Sequence, residues 1–146
     1  MASILVIDDD RAVLATIKIL LERAAHAVEA VDNSRTGLQL IERRSFDLLI
    51  VDIFMPGMDG FETMRQVHQS RPDMPVVVIS GQQFSLASEH APDFLHMATR
   101  LGAVSSLQKP FKPSELLAVI NSSLSSSRLP PGLYGKKSAG IPSERQ

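Results

Sequence analysis

The chain has 146 residues, 44% of them apolar and 21% charged, with a formal net charge of −1. That length holds one core of ordinary size, and the balanced charge supplies no basic field to draw it to nucleic acid or an anionic membrane. Cysteine is absent, which excludes disulfides, thiolate chemistry and Cys-based metal sites.

Met1-Ala2-Ser3 leads straight into the apolar run Ile4–Ile7, read as a first strand, so no signal peptide is expected. Val13, Leu14, Ile17, Leu20, Leu21 and Ala24 then recur at helical spacing. Ala27–Val31 reads as a second, half-exposed strand, and Leu38 and Ile41 mark a short helix. Phe46–Val51 is the central strand, apolar on both faces apart from Asp47, which calls for cover on both sides. Asp59 is placed as a helix N-cap with Glu62 as its capping-box partner, and Phe61, Met64 and Val67 line the helix that follows. Pro72 and Pro75 bracket the turn into a fourth strand, Val76–Ile79. Between Gln82 and Gly102 the pattern is least regular; Pro92 predicts a loop and then a helix from Asp93 to Leu101. Val104–Leu107 is a weaker fifth strand, and Pro113 opens a last helix carrying Leu116, Leu117, Ile120 and Leu124. From Ser125 the pattern stops. The expected organisation is one domain over 1–124 and a disordered Ser/Pro/Gly-rich tail over 125–146, too short for a core of its own. No stretch approaches the ~20 apolar residues of a membrane helix, and the chain is read as soluble and cytoplasmic.

Five strands alternating with five helices predict an α/β fold: a doubly wound, flavodoxin-like parallel sheet with right-handed crossovers and strand order 2-1-3-4-5. Parallel strands bring their carboxyl ends to one edge, where such folds place ligands. The residues that end these runs are Asp8, Asp9 and Asp10, then Asp52, Ser80 and Lys109. Crowded carboxylates repel unless a cation sits among them. Hard oxygen ligands with open positions suit Mg²⁺, and a carboxylate can itself attack phosphorus and become an aspartyl phosphate. Taken alone, Asp10 reads as an acid at a helix N-terminus. The four histidines, His26, His68, His90 and His96, show no i, i+4 pairing and are read as solvated or edge residues without a metal.

Ile4-Leu5-Val6-Ile7-Asp8-Asp9, Asp52 with Met55-Pro56-Gly57-Met58-Asp59-Gly60, Ser80-Gly81 and Lys109-Pro110-Phe111 together resemble the receiver domain of two-component response regulators. The resemblance runs over about residues 2–124, and no output domain is expected after it. It implies Asp52 as phosphoacceptor, and Mg²⁺ held by Asp9, Asp52 and the backbone carbonyl of Phe54, with Asp8 binding it directly or through water. It implies Ser80 as hydrogen-bond donor to the phosphoryl group and Lys109 as its ion-pair partner. It commonly implies a cis peptide at Lys109-Pro110. The phosphodonor is a sensor histidine kinase or phosphotransfer protein, and readout goes to a downstream protein by contact or phosphate relay. Nucleic acid, membrane and enzymatic turnover of a substrate are not expected. Two other readings stand beside it: a degenerate receiver that binds without phosphorylation, and a Mg²⁺-dependent aspartyl-phosphate phosphohydrolase. The latter class carries an acid two residues after its nucleophile, where this chain has Phe54, which cannot move a proton.

Three departures from the family pattern follow. Ser106 stands three residues before Lys109, where an aromatic side chain is frequent, so only the Ser80-Gly81 half of the family's relay is carried over. The Ser80–Lys109 interval is one to two helical turns longer than usual, around 82–93. Phe54 is expected to screen the phosphoryl group from attacking water.

Overall fold

The structure, a computed structural model, describes residues 1–53, 60–81 and 98–128, with side chains to residue 125. The strands are β1 (Ser3–Ile7), β2 (Ala27–Val31), β3 (Leu48–Asp52), β4 (Val76–Ser80) and β5 (Ala103–Gln108). The helices are α1 (Arg11–Arg23), α2 (Ser34–Arg43), α3 (Gly60–Ser70), α4, described over 98–100, and α5 (Pro113–Arg128). All strand pairs are parallel and the sheet order is β2-β1-β3-β4-β5, as the sequence predicts.

Alternation along the strands builds two cores. Ile4 and Val6 of β1, Ile50 of β3 and Val77 of β4 meet Leu14, Ile17 and Leu21 of α1 and Leu116 and Ile120 of α5 on one face. Leu5, Ile7, Leu49, Val51 and Val78 meet Ile41 of α2 and Met64 and Val67 of α3 on the other. Covered on both sides, β1, β3 and most of β4 are apolar at successive positions rather than alternate ones. Between α2 and α3, the buried Thr63 hydroxyl donates to Ser34 Oγ at 2.6 Å.

Several element ends differ from expectation for visible reasons. The central strand starts at Leu48, two residues late, because Asp47 closes the turn before it. Its carboxylate accepts the Ser3 N–H at 2.8 Å, and its own N–H donates to the Ser3 carbonyl at 2.7 Å. α5 runs to Arg128, past the expected end near Leu124, since serines cost an established helix little per residue. It opens at Pro113 as expected, with the Lys112 N–H donating to Glu115. α1 ends in a Schellman motif: the His26 N–H donates to the Leu21 carbonyl, the Ala25 N–H to that of Glu22, and Ala25 takes φ +71°. Gly102 ends α4 at φ +100°, where a Cβ would stand 3.1 Å from His68 Nδ1. The Asp59 cap, most of the predicted 93–101 helix and the tail beyond 128 lie outside the described residues.

Candidate functional site

Four of the five strands, all but β2, deliver a group to the carboxyl edge. Asp8 follows β1, and its N–H extends the ladder to the Val31 carbonyl at 3.2 Å. Asp52 is the last residue of β3, one strand over; Ile7 pairs with Val51, so Asp8 and Asp52 fall side by side. Ser80 closes β4 and pairs with Gln108; its carbonyl accepts the Lys109 N–H at 2.8 Å, which fixes the start of the Lys109-Pro110 turn. That peptide bond is cis.

The side chains converge. One carboxylate oxygen each from Asp8, Asp9 and Asp52 lies within 4.8 Å of the others. Lys109 Nζ stands 2.8 Å from Asp8 Oδ2 and 3.1 Å from Asp52 Oδ2. Asp8 is fully buried and Asp52 is 4% exposed, whereas Asp9 faces solvent. The cluster opens into a cavity of about 790 Å³ lined by Asp9, Asp10, Asp52, Gly81 and Lys109, with Ala12, Val13, Thr16, Pro110 and Phe111 as its flank.

Burial raises the Asp8 carboxyl above its ordinary value; Lys109 and the Asp10 N–H pull it back in part, and Asp52 pushes it up. Burial alone would lower the Lys109 ammonium, but Asp8 and Asp52 outweigh it and hold its pKa above the ordinary value. The two neighbouring carboxyl groups thus favour the charged form of the lysine.

The two oxygens of Asp8 are treated differently. Oδ1 accepts the Asp10 N–H at 2.9 Å. Oδ2 is buried and has no hydrogen-bond donor among the described residues, its Lys109 contact being an ion pair without hydrogen-bond geometry. Three carboxylates cluster, the lysine pairs with two of them, and among the described residues a buried oxygen of Asp8 has no hydrogen-bond donor. That donor set fits a hard divalent cation held by Asp8, Asp9 and Asp52.

The structure therefore brings together Asp8, Asp9, Asp52 and Lys109 as the sequence predicts. Ser80 is half-buried at the adjacent strand end, with Gly81 lining the cavity on that side. Phe54, with its expected carbonyl ligand and screening role, and the long interval around 82–93 lie outside the described residues. Ser106 is exposed on β5, facing solvent where the family pattern puts a large ring. Two features escape sequence reasoning. Lys109 is paired with Asp8 as well as Asp52. Gly60 at the start of α3 lies so close that a Cβ there would be 2.4 Å from the Asp52 carbonyl oxygen and 2.3 Å from Ile53 Cα. The lone glycine after Asp59 was the available signal for that approach.

Among the described residues no helix is long and apolar enough to cross a membrane. The response regulator receiver domain model matches residues 4–121. The chain is 33% identical over 122 residues to the transcriptional regulatory protein FixJ of Bradyrhizobium diazoefficiens, covering 83% of this chain and 56% of that protein. It is 32% identical over 142 residues to the DNA-binding transcriptional regulator NtrC of Rhizobium meliloti, covering 97% of this chain and 28% of that protein. It thus spans about a quarter to a half of the length of these relatives. A CheY-like receiver domain protein from Methanospirillum hungatei superposes with a TM-score of 0.77 at 31% identity, covering 87% of this chain and 96% of that one. A receiver domain protein from Clostridium thermocellum gives 0.77 at 30% identity, covering 88% and 98%. Acid cluster, paired lysine, strand order and sequence agree: the chain belongs to the response regulator receiver domain family of two-component systems, whose members are phosphoryl-accepting signalling switches.

Proposed function

We propose that Asp52 is the phosphoacceptor of this receiver, that Asp8, Asp9 and Asp52 hold Mg²⁺ with the Phe54 carbonyl, and that the phosphodonor is a histidine kinase or phosphotransfer protein. The observation that carries the reading is the convergence of three carboxylate oxygens within 4.8 Å, two of their residues paired to one lysine, at the mouth of an open cavity. When bound, the cation neutralises the oxygens of the phosphoryl group in transit. The chain's own residues supply the rest. An Asp52 carboxylate oxygen forms a bond to phosphorus as the bond from phosphorus to the donor imidazole nitrogen breaks, and that nitrogen leaves with the electron pair. Lys109, already within reach of Asp52, pairs with the new phosphoryl oxygens. Ser80 donates its hydroxyl to one of them from the end of β4, which biases the surface beyond that strand.

In this reading residues 1–124 are the signalling unit, output passes by protein contact or phosphate relay, and the module works in the cytoplasm without turning over a substrate. Incubation with acetyl phosphate and Mg²⁺, followed by intact mass, tests it. One phosphoryl group gained by wild type and none by Asp52→Asn is the expected result. No gain by wild type supports a phosphorylation-independent binding module, and sustained phosphate release supports a phosphohydrolase.

A further inference from the structure

We infer that Asp10 is a positioning residue for the metal ligand Asp8, acting through its backbone N–H; this rests on the proposed Mg²⁺ site. The last torsion of an aspartate is broad and two-fold, so nothing intrinsic fixes the rotation of the carboxylate plane. Here the Asp10 N–H fixes it. It donates to Asp8 Oδ1 at 2.9 Å and leaves the buried Oδ2 turned toward Lys109, 2.8 Å away. The direction of that N–H depends on the backbone of Asp10, held extended at φ −88° and ψ 106°. Its own side chain keeps it there, because Asp10 Oδ1 accepts the N–H groups of Ala12 at 3.0 Å and Val13 at 3.3 Å as the N-cap of α1. One residue thus ties the helix start to the rotation of a ligand carboxylate, as outer-shell hydrogen bonds do around bound metals.

The test is a Mg²⁺ titration followed by amide NMR on the full chain, in salt high enough to screen the Asp10 charge. Asp10→Ala is expected to weaken Mg²⁺ about 10-fold. Asp10→Asn, which keeps the cap acceptor, binds close to wild type. Asn33→Ala removes the corresponding cap of α2, where Asn33 accepts the Thr36 N–H at 2.8 Å, and is the control. It lowers the melting temperature about as Asp10→Ala does and leaves Mg²⁺ affinity unchanged. Asp10→Ala binding like wild type, or Asp10→Asn as weak as Asp10→Ala, overturns the inference while the metal site stands. Equal weakening by Asn33→Ala also overturns it, because helix stability is then the cause. Absence of Mg²⁺ binding by wild type overturns both the inference and the site.

Discussion

At the carboxyl edge of the sheet, Asp8, Asp52 and Lys109 are packed into a small space, and among the described residues one buried carboxylate oxygen has no hydrogen-bond donor. At the amino edge, the polar groups close on one another. Asp47 exchanges two bonds with Ser3, the Ala27 N–H donates to the Ala2 carbonyl at 2.8 Å, and the Ala2 N–H donates to His26 Nδ1 at 3.1 Å. One sheet therefore carries a repulsive, ligand-ready edge and a satisfied, structural one. A buried anion disfavours folding unless it is compensated, whereas a satisfied turn costs little. Substitutions that remove charge should then stabilise the first edge, and those that remove bonds should weaken the second.

The largest expected effect tests how rigid the carboxyl edge is. A Cβ on Gly60 would meet the Asp52 carbonyl oxygen at 2.4 Å and Ile53 Cα at 2.3 Å, and both are backbone atoms that cannot rotate away. Gly60→Ala is expected to cost about 3 kcal/mol in denaturant unfolding, the upper end for overpacking. It should also depress phosphorylation from acetyl phosphate, because the displaced backbone carries Asp52. A variant with normal stability and normal phosphorylation would show that this edge yields easily.

Next is the charge itself. Asp8→Asn removes a fully buried anion and leaves Lys109 its contact to Asp52. In chelator, the variant should be more stable than wild type by about 1–2 kcal/mol. Adding Mg²⁺ should stabilise wild type by mass action and leave the variant nearly unmoved. Thermal unfolding with and without Mg²⁺ reads both. Destabilisation of the metal-free variant would place Asp8 among the satisfied groups and erase the contrast between the edges.

The contrast also explains what could be read from the chain. Leu48–Val51 and Val76–Ile79 are buried on both faces, so their lack of alternation is itself the signal, and parallel topology forces Asp52 and Ser80 to one edge. Strand order and the acid cluster were legible for that reason. The amino edge was not. Asp47 looks like an impurity in an apolar run until Ser3 is beside it, and the two are 44 residues apart. Nor does any spacing reveal that Lys109 faces two acids, or that Gly60 touches the backbone of Asp52. These are matters of side-chain rotation and helix approach, which periodicity does not encode.

A smaller change should improve the amino edge. Ala25 holds φ +71° at the end of α1, where an L-residue is strained and glycine is not. Ala25→Gly is expected to add about 0.5–1 kcal/mol in denaturant unfolding, less than the full relief because glycine loses more entropy on folding. A loss of stability would mean that the Schellman turn is held by more than its conformation.

The smallest effect concerns pH and gives the two edges opposite signs. His26 Nδ1 accepts the Ala2 N–H, so the neutral ring fits its place and the imidazolium does not. Burial, with the nearby positive amino terminus, lowers its pKa below 6.5. The unfolded chain then binds a proton more readily than the folded one. This contribution to stability is fully present above pH 6.5 and is lost as pH falls through the lowered folded value. Asp8 runs the other way. Its pKa is raised above 3.8, so its folded form takes up the proton more readily, and acidification toward that range relieves the carboxyl edge. Comparing wild type with His26→Gln between pH 7.5 and 5.5 cancels the Asp8 contribution, which both proteins share. Wild type should lose stability relative to the variant on acidification; equal pH dependence in the two would mean that protonating His26 does not strain the closed edge.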